Sequence, residues 1–173
     1  AAAFGGLWLA LIGWFLTVTA RAEALQQQAR ERLGGIRVAE LMARDPVSVD
    51  PDVTVGAFMD EVARRTRYTT YPVIEGERPV GLLTFGCVAE IPRERWDRSD
   101  VRECMLPRER VPVLSPDEDA AEALVKLSGS GVHRALVVDG ERLVGLLSIT
   151  DLMRAMQLGP LNDARRDDRR AAV

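Results

Sequence analysis

The sequence predicts an α/β fold of the α+β kind: two β-α-β-β-α units packed with pseudo-two-fold symmetry, preceded by a transmembrane helix. Two internal echoes and one break in composition predict it. "RYTTYPVIEGERPVGLLTF" (67–85) is answered by "VHRALVVDGERLVGLLSI" (132–149), and "VAELMARDPVSVDPD" (38–52) by the two-residue-longer "VRECMLPRERVPVLSPD" (101–117). Such a repeat is one supersecondary unit written twice, and it fixes the architecture before any single residue is interpreted. The break is at the start, where residues 1–20 carry no charge at all.

In chain order, "AAAFGGLWLALIGWFLTVTA" (1–20) is long enough, at about 1.5 Å per helical residue, to cross a hydrocarbon core of about 30 Å. Trp8 and Trp14 suit interfacial anchoring, and Gly6, Ala10 and Gly13 offer a small-residue face to another membrane helix. A buried soluble helix is one alternative. A signal peptide is another, and it fits poorly because no basic segment or initiator Met precedes the run; the missing Met also marks the chain as a piece of a longer protein. Residues 21–35, "RAEALQQQARERLGG", read as a juxtamembrane helical connector ended by Gly34 and Gly35. Its basic residues outnumber its acids, which puts the following domains on the cytoplasmic side.

The repeats run over 36–98 and 99–158, each about 60 residues, a size that calls for packing one on the other. "PVSV" and "VPVL" are short β-rich runs leading through "DPD" and "SPD" into helices. Thr54 and Asp119 are the expected N-caps, with Val55, Phe58, Met59 and Val62, or Ala120, Ala123, Leu124 and Leu127, at helical spacing. Two strands turning at Glu75-Gly76 or Asp139-Gly140 follow, and a helix closes each copy. Residues 159–173 are polar and aperiodic, the pattern of a disordered tail.

Composition excludes several chemistries. A net charge of -3 and a sequence pI near 5.3 argue against nucleic-acid binding, whose footprint is basic. Cys87 and Cys104 are the only cysteines, with no CxxC spacing, so neither a disulfide framework nor a structural zinc site is written here. His133 is the only histidine, which excludes any site in this chain that needs two imidazoles. No catalytic residue and no metal site is expected.

Ligand chemistry concentrates in the second copy. Asp151 ends "GERLVGLLSITD", where a strand gives way to a helix. A carboxylate there can accept from both hydroxyls of a ribose, and a helix start favours a nearby anion. Ser148 and Thr150 add hydroxyls, and Arg134, beside His133, brings the side chain best matched to a phosphate. The alternative for Asp151 and Thr150 is helix capping, for His133 a half-buried packing role, and for Arg134 a solvated strand position. The first copy has Gly86-Cys87 in place of Thr-Asp, and Arg67, Tyr68 and Thr69, within one position, in place of Val-His-Arg. A neutral thiol cannot clamp two hydroxyls, so one working cleft at most is expected, with Cys87 a packing residue.

The doubled unit, and "GLLSITD" above all, resembles the cystathionine-beta-synthase (CBS) domain in its tandem form, the Bateman module. That resemblance covers about 120 residues and implies a regulatory pair, many of whose relatives bind AMP, ADP or ATP between the copies. By similarity to the nucleotide-binding repeats of the AMP-activated protein kinase gamma subunit, Asp151 and Thr150 hold the ribose. His133, Arg134 and Ser148 hold the phosphate, and the adenine lies against Val111 and Val113. A dimer through the repeats is the family's common assembly. The order of apolar run, connector and CBS pair also resembles the C-terminal end of site-2-protease-type, M50-like intramembrane zinc metalloproteases. That likeness implies a membrane location and places the zinc ligands on earlier helices, outside this chain. A transporter or channel tail, or a structural dimerisation module with degenerate clefts, are the competing readings.

Overall fold

The computed structural model describes residues 27–66 and 68–158. The expected span (1–20), the start of the connector and the expected tail (159–173) lie outside the described residues. Among the described residues no helix is long and apolar enough to cross a membrane.

The chain begins with helix α1 (27–33), followed by α2 (Val38–Leu41) and the two-residue strand β1 (Ala43–Arg44). Then come α3 (Val55–Ala57, continued as a π-helix over Phe58–Ala63), β2 (Thr70–Glu75), β3 (Arg78–Thr84) and α4 (Phe85–Ala89). The second copy repeats the order as α5 (Val101–Cys104), β4 (Leu106–Pro107), β5 (Val113–Leu114), α6 (Ala120–Gly129), β6 (Arg134–Asp139) and β7 (Arg142–Ser148), closed by α7 (149–158).

Both expected caps form. Thr54 Oγ1 accepts from Ala57 N at 3.2 Å, and Asp119 Oδ1 accepts from Ala121 N at 2.8 Å. Each hairpin turns on two residues, with the positive φ confined to the glycine, +62° at Gly76 and +61° at Gly140. Glycine at the first turn position with φ > 0 is the type II′ requirement. Both hairpins slip register at the same place, between Val73 and Ile74 and between Val137 and Val138.

The copies differ in the helix that follows each cap. From cap to strand, Thr54 to Thr70 is one residue longer than Asp119 to Arg134. The longer copy absorbs the surplus as the π-helix Phe58–Ala63, whose i→i+5 turns take one residue more than α-turns, whereas α6 is regular.

The lead-in of each copy packs on the other copy. Strand β1 pairs antiparallel with β7, giving a sheet ordered β1-β7-β6-β5, and β4 pairs with β3, giving β2-β3-β4. The isolated parallel bridge Val49↔Val73 stands where β5 pairs with β6 in the other sheet. Backbone bonds repeat the exchange: Val38 N to Glu118 O and Ala39 N to Pro116 O on one side, Val101 N to Val53 O and Arg102 N to Pro51 O on the other, all 2.9 Å. The close approach explains Gly81 and Gly145, where an added Cβ would meet Met105 Sδ at 2.8 Å and Met42 Sδ at 2.4 Å.

Three apolar clusters follow. One joins Ala29, Leu33 and Val38 to Leu114, Leu124, Leu127, Leu147 and Leu152. A second joins Val49, Phe58, Tyr71, Val73 and Leu83 to Val101. Between them, Leu82, Val111, Leu136 and Val138 form the seam of the two sheets, and each such side chain, once buried, contributes about 1.5–3 kcal/mol. The pseudo-two-fold is visible at the hairpin tips, where Arg78–Glu141 (3.3 Å) mirrors Arg142–Glu77 (3.5 Å). These exposed pairs add little stability.

Candidate functional site

Strand β7 delivers Ser148 to the start of α7, and the two residue types there close a reciprocal cap. Ser148 Oγ accepts from Asp151 N at 3.2 Å, while Asp151 Oδ2 accepts from Ser148 N at 3.1 Å and from the Ser148 hydroxyl. This is the capping-box exchange, with aspartate as the returning acid. Among the described residues the arrangement leaves Asp151 Oδ1 without a donor, and it uses the only proton of the buried Ser148 hydroxyl. Ser148 therefore has no donor left for a phosphate while the cap stands.

Asp151, Ser148, Arg134 and Leu146 line an open cleft of about 290 Å³ together with Tyr68, Thr69 and Thr70 from the first copy and Ala43 of β1, which pairs with Leu146. Arg134 Nε donates to Thr70 Oγ1 at 2.8 Å and its Nη2 to Thr69 Oγ1 at 3.4 Å. Among the described residues Arg134 has no acidic partner. A guanidinium held by two hydroxyls keeps its charge and most of its donors for something else. Tyr68 is 58% exposed; Tyr71, beneath it, donates its hydroxyl to Tyr68 O at 2.9 Å and meets the Tyr68 ring edge-on.

Other residues of the expected site fall elsewhere. His133 is exposed at φ +56°, is not among the lining residues, and offers its carbonyl to Ile149 N at 3.0 Å. Its counterpart is Thr69, whose carbonyl accepts from Phe85 N at 3.4 Å and which does line the cleft. The first-copy equivalents of Val132, His133 and Arg134 are thus Tyr68, Thr69 and Thr70, one position later than the starting alignment. Thr150 is exposed on α7, outside the lining. Val111 is buried in the seam between the sheets and Val113 lies on β5; neither lines the cleft, whose apolar lining is instead Ala43 and Leu146. Sequence reasoning missed the Tyr68-Thr69-Thr70 wall. The available signal was the repeat itself, which sets "YTT" against "VHR".

At the mirrored helix start, Thr84 Oγ1 accepts from Cys87 N at 3.2 Å and donates to Cys87 Sγ at 3.1 Å. The cap forms without an acid. Cys104 packs against the same core as Cys87, and burial, with Cys87 beside it, pushes its thiol up to about 11. It is a protonated packing group at neutral pH. Among the described residues no His, Cys, Asp and Glu cluster could hold a metal ion.

Comparison with known proteins fits this architecture. The CBS domain family model matches twice, over residues 38–92 and 101–158. The Rip3 protein of Mycobacterium tuberculosis, which carries a zinc-metalloprotease name, is 29% identical over 156 residues, 89% of this chain and 40% of its own. Zinc metalloprotease MJ0392 of Methanocaldococcus jannaschii is 30% identical over 159 residues, 92% of this chain and 43% of its own. The chain thus spans less than half the length of these relatives. Among solved structures, the CBS domain of a bacterial CNNM/CorC family Mg2+ transporter in complex with ATP superposes with a TM-score of 0.67 at 21% identity, covering 78% of this chain and 96% of that one.

Proposed function

The chain belongs to the CBS-domain family, and from that premise we propose that it is the regulatory end of a larger membrane zinc metalloprotease of the site-2, M50-like type. In this reading it senses an adenine nucleotide in the Ser148–Asp151 cleft. The observation that carries the ligand reading is Arg134: a guanidinium with no acidic partner among the described residues, oriented by Thr69 and Thr70 of the other copy, lining the same cleft as a carboxylate with one oxygen that accepts from none of them. Free Asp151 Oδ1 suits a ribose hydroxyl, and the spare Arg134 donors suit a phosphate. The protease reading draws on alignments of 156 and 159 residues, longer than the matched repeats (38–158), so the likeness includes flanking chain. The zinc would belong to earlier parts of the parent, since the described residues offer no ligand set for it.

The apolar run 1–20 would then be the last membrane helix of the catalytic domain, with the repeats on the cytoplasmic side and a second copy docked through them. Nucleotide would gate the protease only if it binds two arrangements of the pair with different affinity. A transporter tail is less favoured, because the transporter likeness is one of fold at 21% identity. The test is thermal unfolding of the chain with AMP, ADP or ATP at about 100 times the dissociation constant, expected to add about 2.7 kcal/mol. No stabilisation by any adenine nucleotide would leave the structural dimerisation module as the surviving reading.

A further inference from the structure

Resting on that nucleotide reading, we infer that occupancy of the cleft and docking of α1 on the second copy are coupled: a bound nucleotide holds the connector in place, and its loss lets the connector come away. Helix α1 lies between α6 and α7. An open cleft of about 490 Å³ beside it is lined by Arg30 and by Lys126 of α6, and another of about 530 Å³ by Arg32 and by Met156 of α7. Of residues 27–33, Ala29 and Leu33 are buried and the other five exposed, so the described part of α1 is held through one narrow face. An element held so lightly is the kind that opens locally while the rest of the fold stands.

Two routes join that face to the cleft. Along α7, Asp151 lines the cleft while its neighbour Leu152 is fully buried in the cluster that takes Ala29 and Leu33. Along the chain, the turn after α1 is tied to the start of α6, with Gly35 N donating to Asp119 Oδ2 and Ala120 N to Ile36 O, both at 2.8 Å. Val38 is then buried in the same cluster, Met42 packs at Gly145, and Ala43, paired with Leu146, lines the cleft. A ligand that touches Ala43 and Asp151 together meets them in this arrangement only while the lead-in stays docked. Its binding free energy therefore favours the docked state, and by reciprocity release of α1 weakens the ligand.

Hydrogen–deuterium exchange of the 173-residue chain, alone and with saturating AMP, ADP or ATP, tests this. Without nucleotide, the amides of residues 27–33 are expected to exchange faster than those of β6, the sign of local opening. A nucleotide that binds should slow them at least about fivefold, the lower end of ordinary coupling between sites. Ala29→Asp, which puts a charge into a fully buried site, should release α1 and weaken nucleotide binding by at least the same factor, while the β6 amides keep their protection and show that the second copy is folded. If the variant does not fold, exchange in the parent chain decides. Exchange over 27–33 that runs in step with β6 or is unchanged by a bound nucleotide, or equally tight binding to the folded variant with α1 released, would overturn the coupling while sparing the nucleotide reading. Absence of binding by all three nucleotides would overturn both.

Discussion

The two helix starts that close the repeats differ most in the third residue past the cap. Thr84 and Ser148 do the same backbone work, each accepting the amide of the third residue on at 3.2 Å. In the first copy the third residue is Cys87, whose thiol only receives a hydrogen bond from Thr84; in the second it is Asp151, which binds back to both the amide and the hydroxyl of Ser148. Since α4 starts without an acid, an acid is not needed to start such a helix. The comparison separates the two explanations of Asp151: capping is common to both copies, and the free carboxylate oxygen in a cleft with Arg134 belongs to one.

The helix layers differ as well. In the second copy α1 from the connector inserts Ala29 and Leu33, both fully buried, beside Leu124, Leu127 and Leu152, and Asp119 ties the turn after it by accepting from Gly35 N at 2.8 Å. In the first copy a short linker fills the corresponding place: Trp96 O accepts from Gly56 N at 2.9 Å, and the Trp96 indole donates to Ile91 O at 3.0 Å. The connector is therefore part of the core of the copy that holds Asp151.

Breaking that attachment should have the largest effect. Leu33→Ala is expected to destabilise the chain by about 2–5 kcal/mol, measured by urea unfolding, because it empties a fully buried site. A cost below about 1 kcal/mol would mean that α1 is not docked in solution. Asp151→Ala should lower the unligated stability by about 1 kcal/mol through loss of the cap and remove most of the AMP-induced stabilisation; a variant that loses stability yet keeps the full AMP response would reduce Asp151 to a capping residue. Cys87→Asp, which writes the acid into the first copy, should raise stability by about 0.5–1 kcal/mol through a completed cap while the AMP stoichiometry stays at one, because Thr70 stands where the second copy has Arg134. A second AMP per chain would show that the acid alone makes a site.

The last effect is absent at neutral pH and confined to alkali. Burial raises the Cys104 thiol from 9.0 to about 11. The folded state holds this proton more tightly than the unfolded one, so the associated stability is complete below pH 9 and is lost as pH rises toward about 11. Cys104→Ala should flatten the fall in melting temperature over that interval relative to the parent chain, and an unchanged alkaline slope would exclude Cys104 as its source.

Much of this was legible in the sequence. The doubled "GERxVGLL" line, the turn glycines and the caps Thr54 and Asp119 are local features, and a local rule covers each: alternation, a positive φ, an oxygen one step before a helix. The same repeat marks Cys87 against Asp151. The lining of the cleft is not local. Nothing in "YTT" says that it faces Arg134, nothing in "HR" says that His133 and Arg134 part company, and nothing in "ERVPV" says that Val111 goes into the seam. Those outcomes depend on how two similar sheets meet.

The sequence by itself therefore determined the repeated unit, its turns and caps, and which copy carries the carboxylate, because hydrogen bonds within a few residues and the period of apolar side chains decide them. Only the tertiary structure decided that each lead-in packs on the opposite copy, that the connector belongs to the second core, and that Thr69 and Thr70 rather than His133 complete the wall around Arg134. The physical reason is burial. Leu82, Val111, Leu136 and Val138 leave water only when the two sheets face each other, and that packing places the polar groups at the rim of the seam side by side.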